Sequence, residues 1–316
     1  MILLTGGSGF IGSNIIEKFN SQGISDIVVA DELDASLKLE NLYNKRIIDI
    51  IDKNVLFDNI SKYNFDTVIH MGACTDTTEK DSKKMLQNNF DFSKKLFKHC
   101  TNYNLKFIYA SSASVYGDGS LGFSEDIDLN SVTPLNLYAF SKLLFDRFVE
   151  VQKSYPDNWC GLRFFNCYGP NEFHKGKMAS MVYRAYLQIK KDGKVYLFKD
   201  NNDNSLNGEQ QRDFVYVKDV ADVIMHLYNM PKFLNGIYNL GSGIANSFNN
   251  IAKAVFTAMN LKVDIEYINM PASIQSKYQS FTKADINKLR NIGYSKEFTS
   301  ITNGIGEYIT FLETKM

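Results

Sequence analysis

The four cysteines of this 316-residue chain, Cys74, Cys100, Cys160 and Cys167, contain no CxxC pair, so the sequence signals neither a zinc site nor a disulfide framework. Nor is there a surplus of one charge: 35 Lys and Arg balance 35 Asp and Glu, for a formal net charge of zero. Without a basic excess there is no electrostatic grip on a phosphate backbone, which argues against a nucleic-acid partner. No uncharged apolar run approaches the roughly 18 residues that a membrane span requires. The opening residues Met1-Ile2-Leu3-Leu4-Thr5 have no basic n-region or cleavage site and read as a first strand. The expected setting is a reducing cytoplasm, with no membrane and no metal. What is present, 44% hydrophobic and 22% charged residues, is ordinary for a soluble globular enzyme of one or two domains.

Apolar, β-branched runs at 2–5, 27–30, 67–71, 107–111 and 161–164 alternate with amphipathic stretches at 11–20, 82–103 and 137–154. Strands alternating with helices predict βαβ units, hence a doubly wound parallel sheet with helices on both faces. After residue 166 the alternation breaks. Residues 200–211 (DNNDNSLNGEQQ) read as an exposed polar loop. Strand-like 213–217, helical 220–229 and strand-like 236–240 then resume the pattern. A smaller domain interleaved with the first is expected.

Gly6-Gly7-Ser8-Gly9-Phe10-Ile11-Gly12 follows the first strand and opens a helix. It satisfies both GxxGxxG (Gly6, Gly9, Gly12) and GxGxxG. Glycines there permit a tight turn and let backbone N–H groups meet a pyrophosphate at the positive end of a helix. Asp31 closes a second strand 19 residues after Gly12, where an acid binds the adenosine ribose. The expected fold is α/β, a Rossmann-like doubly wound parallel sheet: residues 1–165, 213–243 and 279–300 for the dinucleotide, 166–212, 244–278 and 301–316 for the substrate. Asp31 and Glu32 repel a 2′-phosphate and favour NAD, whereas Lys38 and Lys53 could reach one and favour NADP. The residues alone leave this open, and each lysine reads most simply as a solvated surface charge.

Tyr138-Ala139-Phe140-Ser141-Lys142 places a phenol and an ammonium at i and i+4 on one helix face. A free tyrosine, with a pKa of about 10, is a poor base at neutral pH. A nearby Lys142 ammonium and an oxidised nicotinamide both favour the phenolate. Upstream, a strand ends in Ala110-Ser111-Ser112, where a serine can hydrogen-bond the same substrate hydroxyl.

These elements, in this order, resemble the extended short-chain dehydrogenase/reductases that act on nucleotide sugars. The likeness also covers Asp66–Ala73 (DTVIHMGA), Arg163-Phe164-Phe165-Asn166 with Tyr168-Gly169-Pro170, and Arg212-Asp213-Phe214-Val215-Tyr216-Val217. It implies that Tyr138 is the acid/base, that Lys142 assists it and that Ser112 hydrogen-bonds the reacting oxygen. Dehydratases of the family carry an acidic pair after the strand-end residue. Ala113 and Ser114 stand there, leaving epimerisation or simple oxidation and reduction.

Three further segments resemble the ADP-heptose 6-epimerase branch: His174-Lys175-Gly176-Lys177-Met178-Ala179-Ser180, Gly72–Glu79 and Lys277–Thr282. The branch inverts C6 of an ADP-heptose for lipopolysaccharide core synthesis, with one tightly bound nicotinamide cofactor per subunit, by default NADP with NAD as the alternative. Rotation about one C–C bond presents the opposite face of the exocyclic carbon, so two acid/base groups are useful, and the resemblance makes Lys175 the second. Read alone, Lys175 is a surface lysine in a glycine-containing loop. The resemblance further implies cofactor contacts at Phe10, Ile11, Asp31, Glu32, Lys38, Lys53, Met71, Gly72, Ala73, Cys74, Thr75, Asn88, Lys142, Cys167 and Lys175. Substrate contacts are implied at Asn166, Lys177, Arg184, Phe198, Lys199, Asp200, Asn201, Arg212 and Tyr278, and so is a homo-oligomer, often a pentamer. Arg212 suits a diphosphate clamp, or an ion pair with Asp213. Lys177, Arg184 and Glu32 depart from the branch's usual residues, and the 200–211 loop is longer. Other readings are a nucleotide-sugar epimerase or reductase acting elsewhere, and a non-catalytic dinucleotide sensor.

Overall fold

The computed structural model describes residues 1–33, 36–200, 206–271 and 279–315. Seven strands form one sheet: β1 (Ile2–Thr5), β2 (Ile27–Asp31), β3 (Asp49–Asp52), β4 (Thr67–His70), β5 (Lys106–Ser112), β6 (Trp159–Phe164) and β10 (Gly236–Leu240). Their order is β10-β6-β5-β4-β1-β2-β3, and every neighbouring pair is parallel. The winding reverses between β1 and β4, which opens a crevice at the carboxyl ends of those strands.

Alternate residues of each strand feed different cores. Leu3, Val28, Val68, Phe107 and Tyr109 pack with helices α2 (Phe92–Tyr103) and α3 (Leu137–Glu150) on one face. Ile2, Leu4, Val29, Ile69 and Ile108 pack on the other with α1 (Phe10–Ser21) and α5 (Val217–Asn229). Covered on both faces, the strands are continuous apolar runs, as parallel sheets require. The edge strand β3 is the exception: its sequence DIID carries strand-poor aspartates, and periodicity did not mark it.

A third core, around Tyr168, Tyr186, Phe214, Tyr216, Phe256 and Tyr308, lies outside the large sheet. It is built by α4 (Met181–Asp192), α6 (Phe248–Ala258) and α7 (Ile301–Lys315) against two small sheets. One has the order β11-β9-β7, from Ala245–Ser247, Gln211–Tyr216 and Asn166–Tyr168. The other pairs β8 (Val195–Phe198) with β12 (Ile265–Ile268). Gln211, expected in the polar loop, begins β9, and α3 stops at Glu150 rather than reaching residue 154.

Two local devices aim this frame at the crevice. Asn136 caps α3, its side-chain oxygen accepting the Ala139 N–H at 2.9 Å, so that Tyr138 sits in the first helical turn. Packed against α3, a helix begins at Ser82–Leu86, passes through a π turn at Gln87–Asp91 and continues as α2. Among the described residues no helix is long and apolar enough to cross a membrane.

Candidate active site

The glycine turn after β1 is closed by backbone. A Cβ on Gly12 would lie 2.2 Å from the Gly6 carbonyl oxygen and 2.7 Å from the Gly7 Cα. Gly9 occupies the N-cap of α1 with no side chain to cap it, so the first N–H groups of that helix stay available to an anion. Ser8 donates its N–H and O–H to one Asp31 oxygen at 3.0 and 2.6 Å, while the Glu32 N–H donates to the other at 2.8 Å. This cradle and its anchored carboxylate suit a dinucleotide's pyrophosphate and ribose.

Lys38 and Lys53 are not the solvated charges that the sequence suggests. Lys38 pairs with Asp31, and Lys53 pairs with Glu32 and with the Asn88 side-chain oxygen. Burying Asp31 requires a counter-ion, and the acid beside it takes the second. The π turn sends Asn88 to this cluster and Asn89 the other way. Asn89 accepts the Cys74 N–H at 2.8 Å and donates to the Cys74 carbonyl at 2.9 Å and to the Ser141 hydroxyl at 3.0 Å. Ser141 in turn donates to the Tyr138 carbonyl at 2.7 Å. The Met71–Thr75 loop is thereby tied to the helix that carries Tyr138.

The crevice is a cleft of roughly 370 Å³ that brings together Ser112, Tyr138, Lys142 and Lys175. Phe10, Ile11, Met71, Ala73, Thr75 and Cys167 line it as well, and so do Asn166 and Arg184 from the substrate set. Ser112 accepts the N–H and O–H of Ser114, at 3.2 and 2.9 Å. With both lone pairs engaged, its own proton is left for Tyr138. That bond lowers the phenol's pKa, but burial outweighs it and pushes the group up to about 12. Lys142 donates to the Ala110 carbonyl at 2.8 Å, and burial pulls its pKa down to about 8.

Lys175 reaches the cleft from the 3-10 segment Phe173–Met178, its ammonium 5.2 Å from the centroid of the Phe10 ring. Gly176, at φ +51 and ψ −119, makes the turn a side chain would resist. Beneath it the buried Glu172 carboxylate accepts the Ser180 hydroxyl at 2.7 Å and the Ser180 N–H. Burial raises that carboxyl, against the Ser180 hydrogen bonds and the Lys175 charge. His174 is pushed down to about 4 by burial and by the Lys38 and Lys175 charges, which puts this segment beside the Asp31 end as well.

Some expected residues stand apart from the cleft. Lys177 is exposed, while Phe198, Lys199 and Asp200 lie at and beyond the end of β8. Asn201 and Tyr278 fall outside the described residues. Arg212 is buried, 5.8 Å from the ring of Phe248, which does line the cleft. The Asp213 carboxylate is taken by the N–H groups of Ser242, Gly243 and Ala284 and by the Ser242 hydroxyl. Sequence reasoning missed the apolar wall of Phe164, Phe214, Met181 and Phe248, whose apolar side chains resemble any core residue.

The NAD dependent epimerase/dehydratase family matches residues 2–241. The ADP-L-glycero-D-manno-heptose-6-epimerase of Fusobacterium nucleatum is 44% identical over 98% of this chain and 97% of its own length. That of Nitratidesulfovibrio vulgaris is 43% identical with the same coverage. The crystal structure of the Helicobacter pylori ADP-L-glycero-D-manno-heptose-6-epimerase superposes with a TM-score of 0.81 at 30% identity, covering 99% of this chain and 96% of that one. A glycine cradle, an anchored carboxylate at the end of β2 and a strand-end serine beside YxxxK thus stand in a chain with relatives along nearly its whole length, and the chain belongs to the NAD dependent epimerase/dehydratase family.

Proposed function

We propose that this protein inverts C6 of ADP-D-glycero-D-manno-heptose to give the L-glycero epimer, a precursor of lipopolysaccharide core. The reading is supported by 44% identity to a curated enzyme of that name. The observation that carries it is the convergence of Ser112, Tyr138, Lys142 and Lys175 on one cleft beside the glycine cradle. A nicotinamide ring held there supplies the hydride acceptor and donor. Gly6, Gly9 and Gly12 would give its pyrophosphate a backbone seat, and Asp31 would hold the ribose.

The chain's own groups handle the proton. Tyr138 takes it from the C6 hydroxyl as that carbon is oxidised, and Ser112 holds the same oxygen by a hydrogen bond. Burial raises the proton affinity of Tyr138, so its base form would depend on positive charge beside it, and solvent would carry the proton from Tyr138 back to Lys175 before the next turnover. Lys175 protonates the oxygen in its new position once the side chain has rotated. Oxidation and reduction at one carbon cancel, so no net oxidant is consumed.

NADP is the proposed cofactor, one per subunit, because Lys53 stands at the ribose end and can exchange the half-exposed Glu32 for a 2′-phosphate while Lys38 stays with Asp31. Equal affinity for NAD and NADP, unchanged in Lys53→Ala, would reject that choice. The setting is a cytoplasmic homo-oligomer, which sedimentation of the purified protein tests. The decisive assay incubates purified protein with ADP-D-glycero-D-manno-heptose, adding no cofactor, and follows C6 by proton NMR. Inversion establishes the reaction with a retained cofactor. A folded, cofactor-loaded protein that leaves C6 unchanged refutes it.

A further inference from the structure

Asp146 lies on α3 four residues after Lys142 and eight after Tyr138, on the same helix face, and is 0% exposed. Its bonds reach across to the sheet. One oxygen accepts the Tyr109 hydroxyl at 3.1 Å, and the other accepts the Ser111 hydroxyl at 2.9 Å and the Arg163 Nε–H at 3.1 Å. Lys142 holds the carbonyl of Ala110, and Asp146 holds the side chain of Ser111. Two groups from one helix face therefore grip consecutive residues of β5, and the next residue is Ser112.

Arg163, itself 0% exposed, completes the assembly. Its Nη1 donates to the Tyr116 hydroxyl at 3.0 Å, and Tyr116 donates to the Asn239 side-chain oxygen at 2.7 Å. An ion pair this deeply buried adds little net stability, because desolvating both charges offsets their attraction. Nothing in the reaction above uses it. Its placement next to the acid/base pair calls for another account.

We propose that Asp146 is a positioning residue for the reaction: it clamps the Ser111–Ser112 end of β5 to α3 and supplies the buried negative charge that keeps Lys142 an ammonium beside Tyr138. Burial works against that ammonium, and Asp146 opposes the burial. The other groups facing the pair are His70 of β4, which senses Lys142, Glu150 on α3, Tyr109 of β5 and Arg163 of β6. The inference rests on Tyr138 and Lys142 being the working pair.

The test is the pH dependence of kcat and KM in three variants. Asp146→Asn combined with Arg163→Met removes both charges and leaves neither unpaired. Arg163→Met alone keeps the carboxylate, and Ser111→Ala removes only the tether. If deprotonation of Lys142 sets the alkaline limb of kcat, the double variant moves that limb down by about one pH unit, with KM changed less than about threefold. Arg163→Met leaves the limb in place or moves it up. Ser111→Ala lowers kcat about three- to tenfold without moving the limb. Limbs that superimpose on the wild type in both charge variants, or that shift equally in the two, overturn the charge role. Undiminished kcat in Ser111→Ala overturns the clamp, and does so even if the double variant fails to fold. Full turnover in Tyr138→Phe would instead sink the underlying reading.

Discussion

Protonation of His70 should make this fold sensitive to mild acid. The ring is 2% exposed at the end of β4, with Phe92 and Phe107 centroids 5.8 and 6.3 Å away. Ser93 donates to the Asn89 carbonyl at 2.7 Å, which leaves its oxygen to accept from His70 Nε2 at 2.7 Å. Thr5 accepts the Gly72 N–H at 3.2 Å and donates to Nδ1 at 2.6 Å. The network assigns the neutral Nε2–H tautomer, and a second proton on Nδ1 would face a hydroxyl already pointing its hydrogen there. Burial, aided by the Lys142 charge, accordingly pushes the group from 6.5 down to about 3.

Between those two values the unfolded chain binds a proton that the native chain does not, so stability is full above pH 6.5 and falls as the pH drops toward 3. The slope is about 1.4 kcal/mol per pH unit, or about 2 kcal/mol lost at pH 5 from this residue alone. His70→Gln keeps a donor and an acceptor but does not titrate. Urea unfolding at pH 7.5 and pH 5.0 should find the variant less stable at the higher pH, yet losing about 2 kcal/mol less than the wild type between the two. Carboxylates that titrate in this range act on both proteins and cancel. Equal losses would refute the assignment of a buried neutral histidine.

Gly12→Ala forces a Cβ against the Gly6 carbonyl, so cofactor retention should fall at least tenfold and stability by about 1–3 kcal/mol, read by nucleotide release and thermal unfolding. Tyr138→Phe removes only a hydroxyl: bound cofactor should remain stoichiometric while C6 inversion drops by 10² or more, and retained turnover would reject the tyrosine's role. Asn136→Ala removes the cap of α3 and should cost about 1 kcal/mol, with kcat falling more than KM changes because Tyr138 sits in that first turn.

What the sequence revealed follows from which forces act locally. Strands β1 and β10 were legible to the residue, because strands buried on both faces read as short, mostly apolar runs. The glycine turn was legible because backbone contact admits no side chain there. Lys38 and Lys53 were misread: a lysine that pairs with a distant carboxylate has the same letter as one in water, and only the fold brings Asp31 and Glu32 beside them. The rise in the Tyr138 pKa was equally hidden, since it comes from burial by segments far apart in the chain. Asp146 continues the YxxxK spacing by one helical turn, a pattern visible in the sequence whose meaning emerges only with Ser111 and Arg163 across the interface.

The π turn at Gln87–Asp91 holds spare length. Downstream, Leu96, Phe97 and Cys100 key α2 into the sheet, and that fit cannot rotate. Upstream, Met85 must also face inward, and two adjacent amides must point in different directions, Asn88 to Lys53 and Asn89 to Cys74. A regular helix, advancing about 100° per residue, already keeps Met85, Asn89, Leu96 and Cys100 within one arc, and the π turn accommodates one residue beyond that geometry. Deleting one residue from the turn would return the run to a regular helix, with α2 and Ser82–Leu86 both still seated. The bulge is therefore a place where the chain can lose a residue without unseating either flank, and a deletion there should cost the Asn88 and Asn89 contacts before it costs the helix.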